Sequence, residues 1–185
     1  MIAVTLTLAF LLTAAATPPQ PQPFTPSANP VADAARARLA RESKNLIAAA
    51  ELLPSDKYVY QPTPQQMTFG DLIAHIVQTN VALCSAASGI PAPMSPPELK
   101  KIAGADGKDS LVAAMKKSFD YCTEAFAKLQ DTVLAEEAVL FGQRTGMSRA
   151  NALITMTVDW ADHYSTAASY LRLNGLTPPT ARPKQ

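Results

Sequence analysis

The chain has 185 residues, 48% of them hydrophobic and 17% charged, with a formal net charge of +1. That is apolar material for one well-buried domain plus a tail, and the lack of any Lys/Arg cluster removes the electrostatic footprint of a nucleic-acid binder, so no nucleic-acid partner is expected. Alanine, leucine and methionine are plentiful and valine-rich alternating runs are scarce, which leans the chain towards helix.

Met1 to Ala16 is uncharged and apolar or small, and closes with Ala14-Ala15-Ala16 before Thr17-Pro18-Pro19. This pattern reads as a signal peptide over residues 1–16 with an Ala-x-Ala cleavage site, although its start carries no Lys or Arg. The other reading is a membrane anchor, but the segment falls short of the roughly 20 residues a spanning helix needs. An exported protein, periplasmic or secreted, with no stable membrane span after cleavage is therefore expected. Residues 17–30 hold Pro18, Pro19, Pro21, Pro23, Pro26 and Pro30 among Gln, Ser and Thr, a composition that makes an extended linker. The folded domain is expected over 31–180, with 181–185 as a tail.

From Val31 to Leu53, the residues Ala32, Ala35, Leu39, Leu46, Ala50 and Leu53 recur at helical spacing, with Arg36, Arg38, Arg41 and Lys44 outside; Pro54 closes this first helix. Pro62 and Pro64 mark the next segment as a loop. Thr68 with Asp71 three residues on resembles a capping box, and Phe69, Leu72, Ile73, Ile76 and Leu83 form the apolar face of a second helix running to about Ser88, before Gly89 and Pro91. Residues 89–107 are rich in Pro and Gly and read as a long connection. Asp109 or Ser110 can cap a third helix with the stripe Leu111, Met115, Phe119, Cys122, Phe126 and Leu129. Residues 131–147 are ambiguous, with a short extra turn of helix the expectation. Ser148 caps the fourth helix, which Gly175 ends before Pro178 and Pro179. Four long helices and no convincing strand predict an all-α four-helix bundle.

The two cysteines test the topology. Cys84 lies about 24 Å along the second helix and Cys122 about 20 Å along the third, at a rise of about 1.5 Å per residue. The heights agree only if these helices run parallel, and the 89–107 connection is long enough to cross the bundle. A Cys84–Cys122 disulfide suits an exported chain; two buried apolar thiols are the alternative.

The fourth helix poses the functional question. Asp159 and His163, at i and i+4, share one face with Ala152, Met156, Thr166, Tyr170 and Leu173, a stripe that should face a core. Ionisable groups in a buried seam are costly unless paired, hydrogen-bonded or bound to a metal. His75 lies at the edge of the second helix's apolar face, opposite Cys84; if Cys84 turns to the third helix, His75 can turn to the fourth. His75, Asp159 and His163 would then form two imidazoles and a carboxylate, a set suited to a divalent transition metal with open positions. The alternative is an Asp–His hydrogen bond in a metal-free polar patch.

The run Thr-Phe-Gly-Asp-Leu-Ile-Ala-His-Ile at residues 68–76 and the close Asp-His-Tyr-Ser-Thr-Ala-Ala-Ser-Tyr-Leu-Arg-Leu-Asn-Gly-Leu-Thr-Pro-Pro at 162–179 resemble the DinB-like (DNA-damage-inducible) superfamily of metal-binding four-helix bundles, over about residues 45–180. The resemblance implies an up-down-down-up bundle with a long crossover between the second and third helices. It implies a metal ligand at His75 and an His-x-x-x-His pair ending at His163, whose first place this chain fills with Asp159. An aspartate can ligate zinc, nickel, iron or manganese. Some related proteins are thiol-dependent transferases or isomerases, in which the metal deprotonates a coordinating thiol; metal-activated water in a hydrolase is the other enzymatic option, with Asp162 or Tyr164 as nearby proton handlers. The expected function is thus a metal-dependent transferase or hydrolase acting on a small-molecule substrate, with pairing into a homodimer also implied by the resemblance. Against it stands a non-catalytic binding or structural helical module with a degenerate, metal-free site.

Overall fold

The computed structural model describes residues 25–182, so the signal-peptide expectation, most of the linker and the end of the tail lie outside the described residues. The four long helices are α1 (Pro30–Leu52), α2 (Phe69–Ser88), α4 (Lys108–Ala127) and α5 (Arg149–Leu173), with a single turn, α3 (Pro96–Leu99), in the crossover between α2 and α4. None of the described helices is long and apolar enough to cross a membrane. Local chemistry fixes several of the helix ends. The Thr68 hydroxyl accepts from the Asp71 amide and the Ser148 hydroxyl from the Asn151 amide, each satisfying an otherwise orphaned first-turn donor. Gly89 adopts φ 76° just past α2, a left-handed conformation that L side chains resist. The third long helix begins at Lys108, after Gly107, rather than at the Asp109 or Ser110 cap expected from sequence.

Chain directions follow from cross-links between helices. Asn80 Nδ2 donates to Ser118 Oγ at 2.9 Å, and Cys84 is disulfide-bonded to Cys122; both pairs are 38 residues apart, so α2 and α4 run parallel. The Arg36 guanidinium, near the start of α1, donates to the carbonyls of Phe126 and Leu129 at the end of α4, while Glu51 at the end of α1 meets Lys116 at 2.6 Å, so these two helices are antiparallel. Trp160 Nε1 donates to Asn80 Oδ1 at 2.7 Å and His163 stacks edge-on against His75, which sets α5 antiparallel to α2. The result is the expected up-down-down-up bundle. Helices α1 and α2 are diagonal, and each packs against both α4 and α5.

The interior is filled by Leu39, Leu46, Ile73, Ile76, Leu111, Met115, Phe119, Phe126, Leu153, Met156 and Trp160, all within 3% of full burial. Leu173, expected on the buried stripe of α5, is instead 60% exposed, because the helix is in its last turn there and has run past the core. The crossover is tied along α2 by Gln78 Nε2, which donates to the carbonyls of Leu99 and Ile102. It then presses so closely on the start of α2 that a Cβ on Gly70 would lie 2.6 Å from the Gly104 oxygen.

The ambiguous stretch before α5 is a β-hairpin, not a turn of helix. β1 (Glu137–Leu140) pairs antiparallel with β2 (Gln143–Ser148), with an irregularity between Glu137 and Val139. In its two-residue turn, Phe141 has φ 50° and Gly142 φ 80°, the two positive values of a type I′ turn. Phenylalanine is an unfavourable residue for the first of these places, which is why no hairpin signal shows in the sequence. Ala138 of β1 is buried, and β1 packs on α2.

A candidate metal centre between α2 and α5

His75 sits in the second turn of α2 and Asp159 and His163 lie one turn apart on α5, with one ligand atom of each residue within 4.8 Å of the others. The reason they meet is rotational. Cys84 faces α4 and is bridged to it, which turns the other edge of α2, carrying His75, towards α5. The rotation of α5 is set by Trp160, fully buried and hydrogen-bonded to Asn80; with Trp160 pointing inward, its neighbour Asp159 and the residue a turn later emerge along the α2–α5 seam. The rings of His75 and His163 lie 4.9 Å apart at an interplanar angle of 72°.

The site is partly closed to solvent. The side chains of His163 and Asp159 are 12% and 23% exposed. His163 Nε2 lies 3.2 Å from Asp159 Oδ2, yet the two are not aligned as donor and acceptor. Both atoms are buried with no hydrogen-bond partner. Buried polar atoms of this kind are rare, and each calls for an explanation such as an ion. The donor set fits one: two imidazole nitrogens and a carboxylate oxygen are ordinary ligands of zinc, iron, nickel or manganese, and three protein ligands leave positions open.

The electrostatics favour the ligand forms of two members. Burial, reinforced by the neighbouring His163 and opposed by Asp159, holds the His75 pKa below its ordinary value, which keeps the ring neutral. Burial pushes Asp159 upward, but the His163 imidazole, the Thr79 hydroxyl and His75 outweigh it and hold the carboxyl below the usual range, so it is ionised.

Of the residues that the sequence raised as proton handlers, Asp162 is 75% exposed, with Oδ2 at 3.8 Å from His163 Nδ1. Tyr164 is committed elsewhere: its hydroxyl donates to Thr180 Oγ1 at 2.9 Å and accepts from the Thr180 amide at 3.0 Å, pinning the C-terminal segment to α5. It is a packing residue. Thr79, which the sequence did not single out, stands one turn after His75; its hydroxyl donates to the Ile76 carbonyl at 3.2 Å and is near enough to Asp159 to help hold that carboxyl ionised. Its i,i+4 spacing from His75 mirrors the Asp159–His163 pair on the facing helix, and that spacing is the signal that could have found it. The cavity under the crossover, about 530 Å³ and lined by Val81, Met94, Ile102 and Tyr121, does not include the three site residues.

A model of the DinB superfamily matches residues 38–167, a span that contains all three site residues and most of the bundle. The chain belongs to the DinB superfamily. No curated protein sequence matches it. The crystal structure of a DinB-like protein from Bacillus cereus ATCC 10987 superposes with a TM-score of 0.63 at 18% identity, covering 80% of this chain and 95% of that one. At that identity the likeness is one of fold, and it agrees with the bundle described above. Within this DinB fold, the α2–α5 seam carries residues that could hold a metal ion.

Proposed function

We propose that this DinB-superfamily chain is an exported metalloprotein that holds a divalent transition metal, zinc, nickel, iron or manganese, between His75, Asp159 and His163. The observation that carries the proposal is the pair of buried, unpartnered atoms, Asp159 Oδ2 and His163 Nε2, converging with His75 at the seam. A metal-free polar patch would instead be expected to close the Asp–His hydrogen bond, since a buried donor or acceptor left unmade costs about 1–3 kcal/mol. A divalent metal bound there would act as a Lewis acid towards a small-molecule substrate, the chemistry of a transferase or hydrolase. His75 and His163 would serve as neutral donors, and Asp159 would supply charge compensation as well as a ligand oxygen. Export is supported by the N-terminal sequence and by the Cys84–Cys122 bridge, because disulfides persist in oxidising compartments. It also weighs against a reaction that consumes a cytosolic low-molecular-weight thiol.

Elemental analysis of tag-free protein, purified without chelator, tests the metal. Stoichiometric metal that is lost in both His75→Ala and His163→Ala is the expected result, with tighter binding in Asp159→His, which supplies the imidazole that the family resemblance implies at that place. An empty protein after reconstitution with each of the four metals would overturn the reading.

A further inference from the structure

His163 presents its two ring nitrogens to two different carboxylates. Nε2 faces Asp159 Oδ2 at 3.2 Å on the buried side, and Nδ1 faces Asp162 Oδ2 at 3.8 Å on the solvent side. A neutral imidazole carries one proton, so one nitrogen donates and the other keeps its lone pair. A proton on Nε2 would block the nitrogen turned into the site, whereas a proton on Nδ1 leaves that lone pair free. Asp162 forms no other ion pair among the described residues and, at 75% exposure, has room to close the remaining distance by side-chain rotation.

We propose that Asp162 is a positioning residue for His163: its carboxylate takes the Nδ1 proton as a hydrogen bond, fixing the tautomer in which Nε2 is the ligand nitrogen. The proposal rests on the metal reading above for its purpose, while the tautomer itself is a property of the metal-free chain. Carboxylates in this outer position orient a ligating histidine and raise its basicity, and their removal typically weakens metal binding by about 10- to 100-fold. Free neutral imidazole side chains favour the proton on Nε2, and Asp159 attracts it to the same nitrogen. Asp162 therefore opposes both, and deleting it should move the proton to the buried side. The adjacency of an acid and a histidine on successive helical positions is not a face-sharing relation; it works here because Nδ1 is the ring nitrogen nearer the backbone.

The test compares wild type, Asp162→Ala and Asp162→Asn, with Asp120→Ala on α4 as a control for the loss of one exposed negative charge. Ring ¹⁵N NMR of the metal-free proteins at pH 8 reads the His163 tautomer, and competition with a chromophoric chelator reads zinc affinity. Asp162→Ala is expected to shift the tautomer population towards Nε2–H and to weaken zinc binding about tenfold. Asp162→Asn, which keeps an acceptor oxygen, should fall between, and Asp120→Ala should match wild type in both readouts. An unchanged tautomer and zinc affinity within twofold in Asp162→Ala overturn the role of Asp162 while leaving the metal reading intact. A shifted tautomer in a protein that binds none of the four metals supports the positioning role and overturns the metal reading.

Discussion

Two neighbouring polar inclusions, each with members on α2 and α5, are built in opposite ways. In the first, Asn80 accepts from Trp160 Nε1 and donates to Ser118, whose hydroxyl in turn donates to the Met115 carbonyl, and the Cys84–Cys122 disulfide lies one turn further along. Every polar atom that this network buries has a partner among its own members or the backbone. In the second, beside it on α2 and α5, Asp159 and His163 face His75 with two buried atoms unpartnered. The fully satisfied network costs little and fixes the register of three helices. The unsatisfied cluster contributes no such stability and depends on the first for its geometry. The difference separates a polar group that holds the fold from one that the fold holds ready.

Breaking the first region should cost the most. Cys84 and Cys122 are 38 residues apart in sequence. Replacing both removes the cross-link that closes this loop, for which loop-closure entropy gives a loss of about 4 kcal/mol in denaturant-unfolding experiments. Thiol titration of the unreduced, denatured wild type should find no free thiol among these two. Trp160→Phe, which strands Asn80 Oδ1 in the core, should cost about 2–3 kcal/mol. It should also loosen the His75–Asp159–His163 cluster, because the rotation of α5 is no longer fixed.

The second region should respond with the opposite sign. The double substitution Asp159→Leu/His163→Leu removes both unpartnered atoms at once, and exchange of a buried polar pair for apolar groups is often neutral or stabilising. The metal-free variant is expected to unfold within about 1 kcal/mol of wild type, or above it. A loss as large as that of Trp160→Phe would show that the two inclusions are alike and that the Asp–His pair is structural.

The smallest expected effect is the pH dependence of the metal-free protein. The folded-state pKa of His75 lies below its unfolded value of about 6.5. Between the two, the unfolded chain binds more protons, so stability falls as pH drops below about 6.5 and is fully present above it. Asp159 is shifted in the same direction and adds a second loss at more acid pH. His75→Leu should remove the upper of the two steps from a plot of unfolding free energy against pH, and an unchanged plot would show that His75 does not sense the cluster.

Much of this was legible in the sequence, for identifiable reasons. The helices were, because Thr68, Ser148, Gly89 and Gly175 punctuate strongly periodic apolar stripes. The parallel pair was legible because Cys84 and Cys122 fall at matching heights along their helices, an argument that also turned His75 towards α5. The hairpin was not. Its strands are short and its turn is Phe-Gly, so neither alternation nor turn chemistry announces it; packing of Ala138 against α2 supplies what local preference lacks. The site residues were legible as a spacing, Asp159 and His163 at i,i+4, but spacing cannot tell a closed hydrogen bond from the misaligned pair the fold produces. Thr79 escaped notice because a threonine inside a helix carries no signal until the residue facing it is known.

The central claim is that the α2–α5 cluster is a metal site. It is tested most directly by anomalous X-ray diffraction at the zinc edge from crystals of the wild-type protein grown with zinc. The account predicts one strong anomalous peak within bonding distance of His75, Asp159 and His163, absent in crystals of the Asp159→Leu/His163→Leu variant. A wild-type map with no peak there, or with zinc only at surface residues elsewhere, would contradict it.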